Sequence, residues 1–183
     1  VTTSLFKDSR IVNAQSTVQT AKGEFKFLIQ HRFGTINQGS YSLWGLDDSK
    51  VRMGFEYGFT DKIALGVGRS SDQKEYDFSV KFIALKQSNE FPFQLSAYVA
   101  LFAIHPSKNQ RASADFDFLN FVSNSNQLIL ARKFSSDLTL AILPTHIHMN
   151  IVEAGQKNES FFLGLGGRYK ITKRVSILSL IHI

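Results

Sequence analysis

The chain has 183 residues, a formal net charge of +6, 43% hydrophobic residues and no cysteine. This length suits one domain, and the missing cysteines exclude disulfides, thiol catalysis and zinc–thiolate sites. The longest apolar run, residues 97–104, is far shorter than the roughly 20 residues that a membrane-spanning helix needs. A helical membrane protein is therefore excluded. Basic residues are scattered rather than clustered, which argues against nucleic acid as a partner.

The first 22 residues form a polar N-terminal lead. Within it only residues 10–18 have the composition of an extended segment, and the sequence Ala-Lys-Gly at 21–23 predicts a turn. We therefore divide the chain into a lead, residues 1–22, and a β-domain, residues 23–183.

From residue 24 onward, large apolar residues alternate with small or charged ones, which predicts β-strands with two different faces. The clearest example is residues 51–59, where Met53 and Phe55 alternate with Arg52, Gly54 and Glu56. The predicted strands are residues 24–33, 51–59, 63–70, 74–86, 93–104, 121–134, 138–150, 161–171 and 175–183. Most supply the 9 to 11 residues that a tilted strand needs to cross a bilayer.

The predicted connections alternate in length along the chain. Short turns at residues 60–62, 87–90, 135–137 and 172–174 separate longer segments at 34–50, 70–74, 105–120 and 150–160. This asymmetry is typical of the periplasmic turns and extracellular loops of outer-membrane barrels. We therefore predict an all-β, antiparallel, up-and-down transmembrane β-barrel in a bacterial outer membrane, with about nine strands visible. The alternative is a soluble lipocalin-like barrel or sandwich.

The face opposite the large apolar residues is where a barrel would have its lumen. The candidate lumen-facing charged residues are Lys26, Arg32, Arg52, Glu56, Lys81, Arg132 and Arg168. If the lumen were open, this basic excess would favour anions. In a narrow barrel the same residues would pair across the interior and close it.

Two histidines stand out because their spacing would allow them to share a metal ion. His146 and His148 are two residues apart on one strand, but no acidic partner is visible near them in the sequence. We expect Pro144 to introduce a bulge that turns both inward, and we interpret them as a polar strand end. Asp47 and Asp48 are likewise interpreted as part of a turn rather than a cation site. No metal, cofactor or catalytic residue is predicted.

Several short segments resemble a known family. They are residues 6–13, 22–34, 45–48, 56–58, 60–61, 68–71, 131–134 and 166–170. In these segments the chain is similar to the DUF5777 family, a group of uncharacterised outer-membrane β-barrel proteins of Bacteroidetes. The resemblance implies a fold and a location but no activity or catalytic residue. Because family members are longer and bacterial barrels have an even number of strands, we expect this barrel to be truncated at its C-terminus.

These observations favour an outer-membrane barrel without catalytic activity. It would act either as a small passive pore or as a structural protein that supports an envelope partner, and outer-membrane lipid would surround it. One alternative is a soluble barrel that binds a small apolar ligand. Another is a lipid-modifying barrel enzyme.

Overall fold

The computed structural model describes residues 5–112, 116–152, 155–172 and 174–183. These residues contain eleven strands: β1 (Arg10–Ile11), β2 (Ala14–Gln15), β3 (Phe25–Arg32), β4 (Lys50–Gly58), β5 (Ile63–Ser70), β6 (Tyr76–Leu85), β7 (Gln94–Ala103), β8 (Val122–Lys133), β9 (Leu138–Met149), β10 (Glu159–Lys170) and β11 (Ser176–His182). One short α-helix, α1 (Lys108–Arg111), and 3-10 turns at Ile36–Gln38, Ser40–Gly45, Asp72–Lys74 and Phe118–Phe121 lie between strands. No helix in these ranges is long and apolar enough to cross a membrane.

Strands β3 to β11 form one sheet in which every strand pairs antiparallel with its neighbours in chain order. Within the described residues the edge strands β3 and β11 do not pair with each other. The predicted strands agree with those observed to within two residues at each end. The prediction of an all-β, antiparallel, up-and-down fold is therefore confirmed.

The lengths of the connections are less regular than the sequence predicted. The turns between β4 and β5, β8 and β9, and β10 and β11 are short, and three of the connections at the opposite end of the sheet are long. However, β6 and β7 are joined by residues 86–93, whereas β5 and β6 are joined by only residues 71–75. We call the first end of the sheet the short-turn end and the opposite end the long-loop end.

The two faces of the sheet differ in the way that the alternation predicted. On one face, large apolar side chains such as Phe27, Met53 and Leu128 are about half exposed. On the other face, small and polar side chains such as Ser96 and Ala131 are almost completely buried. Apolar residues outside and polar residues inside are the reverse of a water-soluble protein and are typical of a barrel in lipid.

The buried face is covered by the chain's own N-terminal residues. Residues 5–22, which we call the inner segment, contain the small hairpin of β1 and β2. Side chains from the segment and from β8 and β9 form one buried apolar cluster: Leu5, Phe6, Ile11, Ala14, Ile129, Ala131, Ala141 and Leu143. The segment contacts strands from β3, through Lys26, to β11, through Leu180, so the sheet curves around it. We call the covered face concave and the other face convex.

Candidate functional site

Lys81 is the central polar contact between the sheet and the inner segment. It lies on the concave face of β6 and is 5% exposed. Its Nζ donates hydrogen bonds to the backbone oxygens of Ser9, at 2.9 Å, and Val18, at 3.0 Å. Because these two residues flank the β1–β2 hairpin, one ammonium group joins both ends of the hairpin to the wall of the sheet.

Two glutamines extend this polar contact along the neighbouring strands. Gln94 Nε2, at the start of β7, donates to the oxygen of Thr17 at 2.9 Å. The N–H of Gln15 donates to Oε1 of Gln127, on β8, at 3.1 Å. Both glutamines are buried, so they satisfy backbone groups of the inner segment that water does not reach.

The chain passes from the inner segment into the sheet beside Gly58, at the short-turn end of β4. The N–H of Gly23 donates to the oxygen of Gly58 at 2.7 Å, and the N–H of Gly58 donates to the oxygen of Glu24 at 3.0 Å. A Cβ atom added at Gly58 would lie only 1.9 Å from the oxygen of Ala21. Only glycine therefore allows the two backbones to approach this closely.

Gly58→Ala is expected to separate the inner segment from β4, because the atom it meets is backbone and cannot rotate away. We expect a loss of about 1–3 kcal/mol in the free energy of unfolding, with faster amide exchange at residues 20–24. The matched control is Gly166→Ala on the same face, whose Cβ would lie an ordinary 3.4 Å from Ile11 Cδ1 and Leu143 Cδ1. Hydrogen–deuterium exchange of both variants checks this; equal exchange at residues 20–24 would contradict it.

Asp8 and Lys26 form an ion pair between the inner segment and β3. Burial acts to raise the pKa of Asp8, but hydrogen bonds from Lys26 and from the N–H of Ser9 outweigh it and hold the pKa of this carboxyl below its ordinary value. The ionised carboxylate therefore favours the folded state at neutral pH.

This ion pair predicts a specific dependence of stability on pH. Because the pKa of Asp8 is lower in the folded state, its contribution is complete above the ordinary carboxyl value of about 3.9. The contribution is lost as the pH falls through the folded pKa. The difference in unfolding free energy between the wild type and Asp8→Asn should shrink as the pH falls from 7 to 2.5. In a Lys26→Met background the same difference should be much smaller at every pH; an unchanged difference there would assign the effect to another group.

A second polar group lies nearer the long-loop end of the concave face. Arg52, on β4, donates from Nε and Nη2 to the two carboxylate oxygens of Asp77, on β6, at 2.7 and 2.5 Å, and from Nη1 to Gln30 at 2.8 Å. The side chain of Asp77 is 3% exposed. Cβ atoms at Gly54 and Gly68 would lie 2.6 and 2.2 Å from the guanidinium nitrogens, so these two glycines provide the space that the guanidinium fills.

Six of the seven candidate lumen-facing residues lie on the concave face. Lys26, Arg52, Glu56 and Lys81 contact other residues there, Glu56 accepting a hydrogen bond from Thr20 Oγ1 at 3.3 Å. Arg32 lies on the same side of β3 but is exposed at its long-loop end. Arg168 is half-buried on the concave side of β10, which also buries Gly166.

Arg132 lies on the opposite, convex face, so its prediction as a lumen residue was wrong. On β8 the buried positions are Gln127, Ile129 and Ala131, and Arg132 follows Leu130 on the exposed side. Its guanidinium carbon lies 5.0 Å from the ring centre of Phe134. Near the end of a strand, a long basic side chain can cover apolar surface while its charge reaches water. The presence of a charge in the sequence therefore does not show which face the side chain is on.

The predicted inward turn of His146 and His148 was also wrong. The register is the same on both sides of Pro144, with Gln127 opposite Thr145 and Leu130 opposite Ile142, so no bulge changes the face. Both histidines lie on the convex side. Glu159, on β10, is the acidic partner that the sequence did not reveal. It lies opposite His148 of β9, contacts His146 Nε2, and lies 2.6 Å from His148 Nδ1.

Of the two acidic residues considered as a cation site, Asp48 accepts a hydrogen bond from Gln38 Nε2 at 3.0 Å. Among the residues that the structure describes, no group of three or more His, Asp or Glu side chains is arranged to hold a metal ion.

The inner segment is the main feature of the concave face that the sequence did not reveal. Its polar composition was interpreted only as a lead, although four of its apolar residues supply half of the core cluster: Leu5, Phe6, Ile11 and Ala14. Apolar residues recurring in an otherwise polar lead were the available signal, together with the row of glycines and small residues on the facing strands.

Comparison with known families decides the class of the protein. A family model described as a membrane-bound β-barrel domain (DUF5777) matches residues 6–180. The chain belongs to this family. The DUF5777 match includes most of the inner segment as well as the sheet, and a membrane-bound domain argues against the soluble-barrel alternative. No curated protein and no solved structure matches the chain significantly.

Proposed function

We propose that this DUF5777 domain is a transmembrane barrel domain of a bacterial outer membrane whose interior is occupied by its own inner segment. It acts as a non-catalytic structural protein that supports an envelope partner, rather than as a passive pore. The observation that supports this most strongly is the inner segment itself, which fills the concave side with a buried apolar cluster and with hydrogen bonds from Lys81, Gln94 and Gln127.

Two features of the convex face support a position across the bilayer. Its exposed side chains are predominantly apolar along β3 to β11, as a lipid-facing surface requires. At the two ends of the sheet, arginines lie over aromatic rings: Arg132 over Phe134 at the short-turn end and Arg69 over Tyr76, at 5.5 Å, at the long-loop end. Amphipathic pairs of this kind are typical of membrane interfaces.

The concave face supports a packing role for its charged residues. Lys81 binds backbone oxygens, Arg52 binds Asp77, and Lys26 binds Asp8. Because these charged groups bind the inner segment and neighbouring strands of the sheet, they support neither an anion pathway nor a catalytic centre. The envelope partner and the absence of nucleic acid and of enzymatic activity remain parts of this proposal.

Conductance of the full-length protein in a planar lipid bilayer tests the proposal. The wild type should give no steady ionic current, and a variant lacking residues 6–20 should give discrete conductance steps, because the concave side then fills with water. Heat-modifiable migration in detergent gels checks that both variants are folded. A steady current of the same size in both proteins would contradict an occupied interior and would support the passive-pore hypothesis instead.

A further inference from the structure

A groove crosses the convex face of four neighbouring strands, β7 to β10, and has a volume of about 570 Å³. Its floor is the backbone of one cross-strand row, Tyr98, Gln127, Thr145 and Phe162, whose side chains lie on the concave face, while the neighbouring convex residues form its walls. The groove therefore runs across the strands rather than along them. Its volume is within the range of about 300–1,000 Å³ found for sites that bind small molecules.

The two walls of the groove differ in polarity. The wall toward the short-turn end is apolar and consists of Ala97, Leu128, Pro144 and Leu163. The wall toward the long-loop end contains the polar residues Asn126 and His146, between Val99 and Phe161. The ring of His146 packs against that of Phe161, with 4.7 Å between the ring centres.

Charged groups lie in the next cross-strand row toward the long-loop end. Glu159 contacts both His146 and His148, and half of its side-chain surface is exposed. His148 Nε2 lies 2.7 Å from Asn150 Oδ1, and Asn126 donates to Asn124 at 2.9 Å. A carboxylate, two imidazoles and several amides thus lie beside a groove that is otherwise apolar.

We propose that this groove binds one molecule of an aminophospholipid of the phosphatidylethanolamine type. The inference rests on the proposed function, since the convex face must lie in lipid. An acyl chain lies along the apolar wall. The headgroup ammonium donates to Glu159, and the phosphate accepts hydrogen bonds from the imidazole and amide N–H groups. An anionic headgroup without an amine meets the Glu159 carboxylate and is disfavoured.

Native mass spectrometry of the full-length protein in detergent, titrated with palmitoyl-oleoyl phosphatidylethanolamine or phosphatidylglycerol, tests the proposal. The wild type should bind the ethanolamine lipid roughly tenfold more tightly, a difference of about 1.4 kcal/mol. Ala97→Phe fills the groove and should weaken ethanolamine lipid binding about tenfold. Glu159→Gln should remove the preference between the two lipids. Val67→Phe, on the convex face of β5 away from the groove, is the matched control and should bind like the wild type.

Three results would overturn the proposal. Equal affinity of the wild type for the two lipids contradicts the role of Glu159. Unchanged ethanolamine lipid binding in Ala97→Phe contradicts the groove as the site. A dimer that Ala97→Phe dissociates would assign the groove to a second copy of the chain. If the protein does not insert into bilayers, the proposed function is contradicted as well. If it inserts but gives any of these three results, only the lipid-binding inference is contradicted.

Discussion

Asp77→Asn is expected to destabilise the domain by about 3–5 kcal/mol. The substitution leaves the guanidinium of Arg52 without its carboxylate in a place where the carboxylate was 3% exposed, and an uncompensated buried charge is costly. The free energy of unfolding in urea, measured in the presence of phospholipid vesicles, checks this. The guanidinium has little room to turn elsewhere, because Gly54 and Gly68 border it closely.

The matched control for Asp77 is an exposed ion pair at the long-loop end of the sheet. Lys50 Nζ lies 2.8 Å from Asp72, and about half of each side chain is exposed. Exposed pairs contribute less than about 1 kcal/mol, so Asp72→Asn should have little effect. Comparable losses in both variants would show that the Arg52–Asp77 pair is not buried in the membrane-bound protein.

Ile11→Ala is expected to cost about 2–5 kcal/mol, the usual range for a truncated isoleucine in a packed core. Ile11 is fully buried, and it lies against Leu143 and Gly166 on the sheet. The alanine leaves a cavity between the hairpin and the wall. Unfolding measured as for Asp77→Asn checks the value, and the same variant should expose the inner segment to protease.

The control for Ile11 is an isoleucine on the convex face. Ile29, on β3, is 56% exposed, and in the proposed arrangement it contacts lipid or detergent in both the wild type and the variant. Ile29→Ala should therefore change the stability by much less than Ile11→Ala. A larger effect at Ile29 would mean that the faces are assigned the wrong way round.

The strands were predictable because their alternation is a local property. In residues 159–170, apolar Leu163 and Leu165 alternate with Gly164 and Gly166, and this pattern identifies both the strand and its two faces. Up-and-down pairing also follows from sequence order, since each strand is joined to the next by a hairpin. The fold class therefore needed no information about distant contacts.

The inner segment was not predictable because its position depends on contacts between residues far apart in sequence. Ser9 and Val18 meet Lys81, and Thr17 meets Gln94. A polar segment that forms hydrogen bonds with the polar face of a sheet has the same amino-acid composition as a polar segment exposed to water. Hydrogen-bond partners, rather than hydropathy, distinguish the two cases.

Both wrong assignments of side chains to a face concern residues near strand ends, where a charged or polar side chain does not have to lie on the buried face. Arg132 was placed inside because it is charged, yet it packs over Phe134. His146 and His148 were turned inward by an expected bulge, yet Pro144 interrupts the ladder without shifting the register. At a membrane interface, polar residues are stable on the lipid-facing side, so polarity alone does not assign their face.

The central claim is that the apolar face of the sheet contacts lipid and the opposite face encloses the inner segment. Tyr98 and Val99 are adjacent on β7, the first packed against the core cluster and the second on the convex face. The single native tryptophan is Trp44, so a Trp44→Phe background allows Tyr98→Trp and Val99→Trp to be compared at one depth. In vesicles of brominated phospholipid, fluorescence from Val99→Trp should be strongly quenched and that from Tyr98→Trp should not. Equal quenching, or the reverse order, would contradict the account.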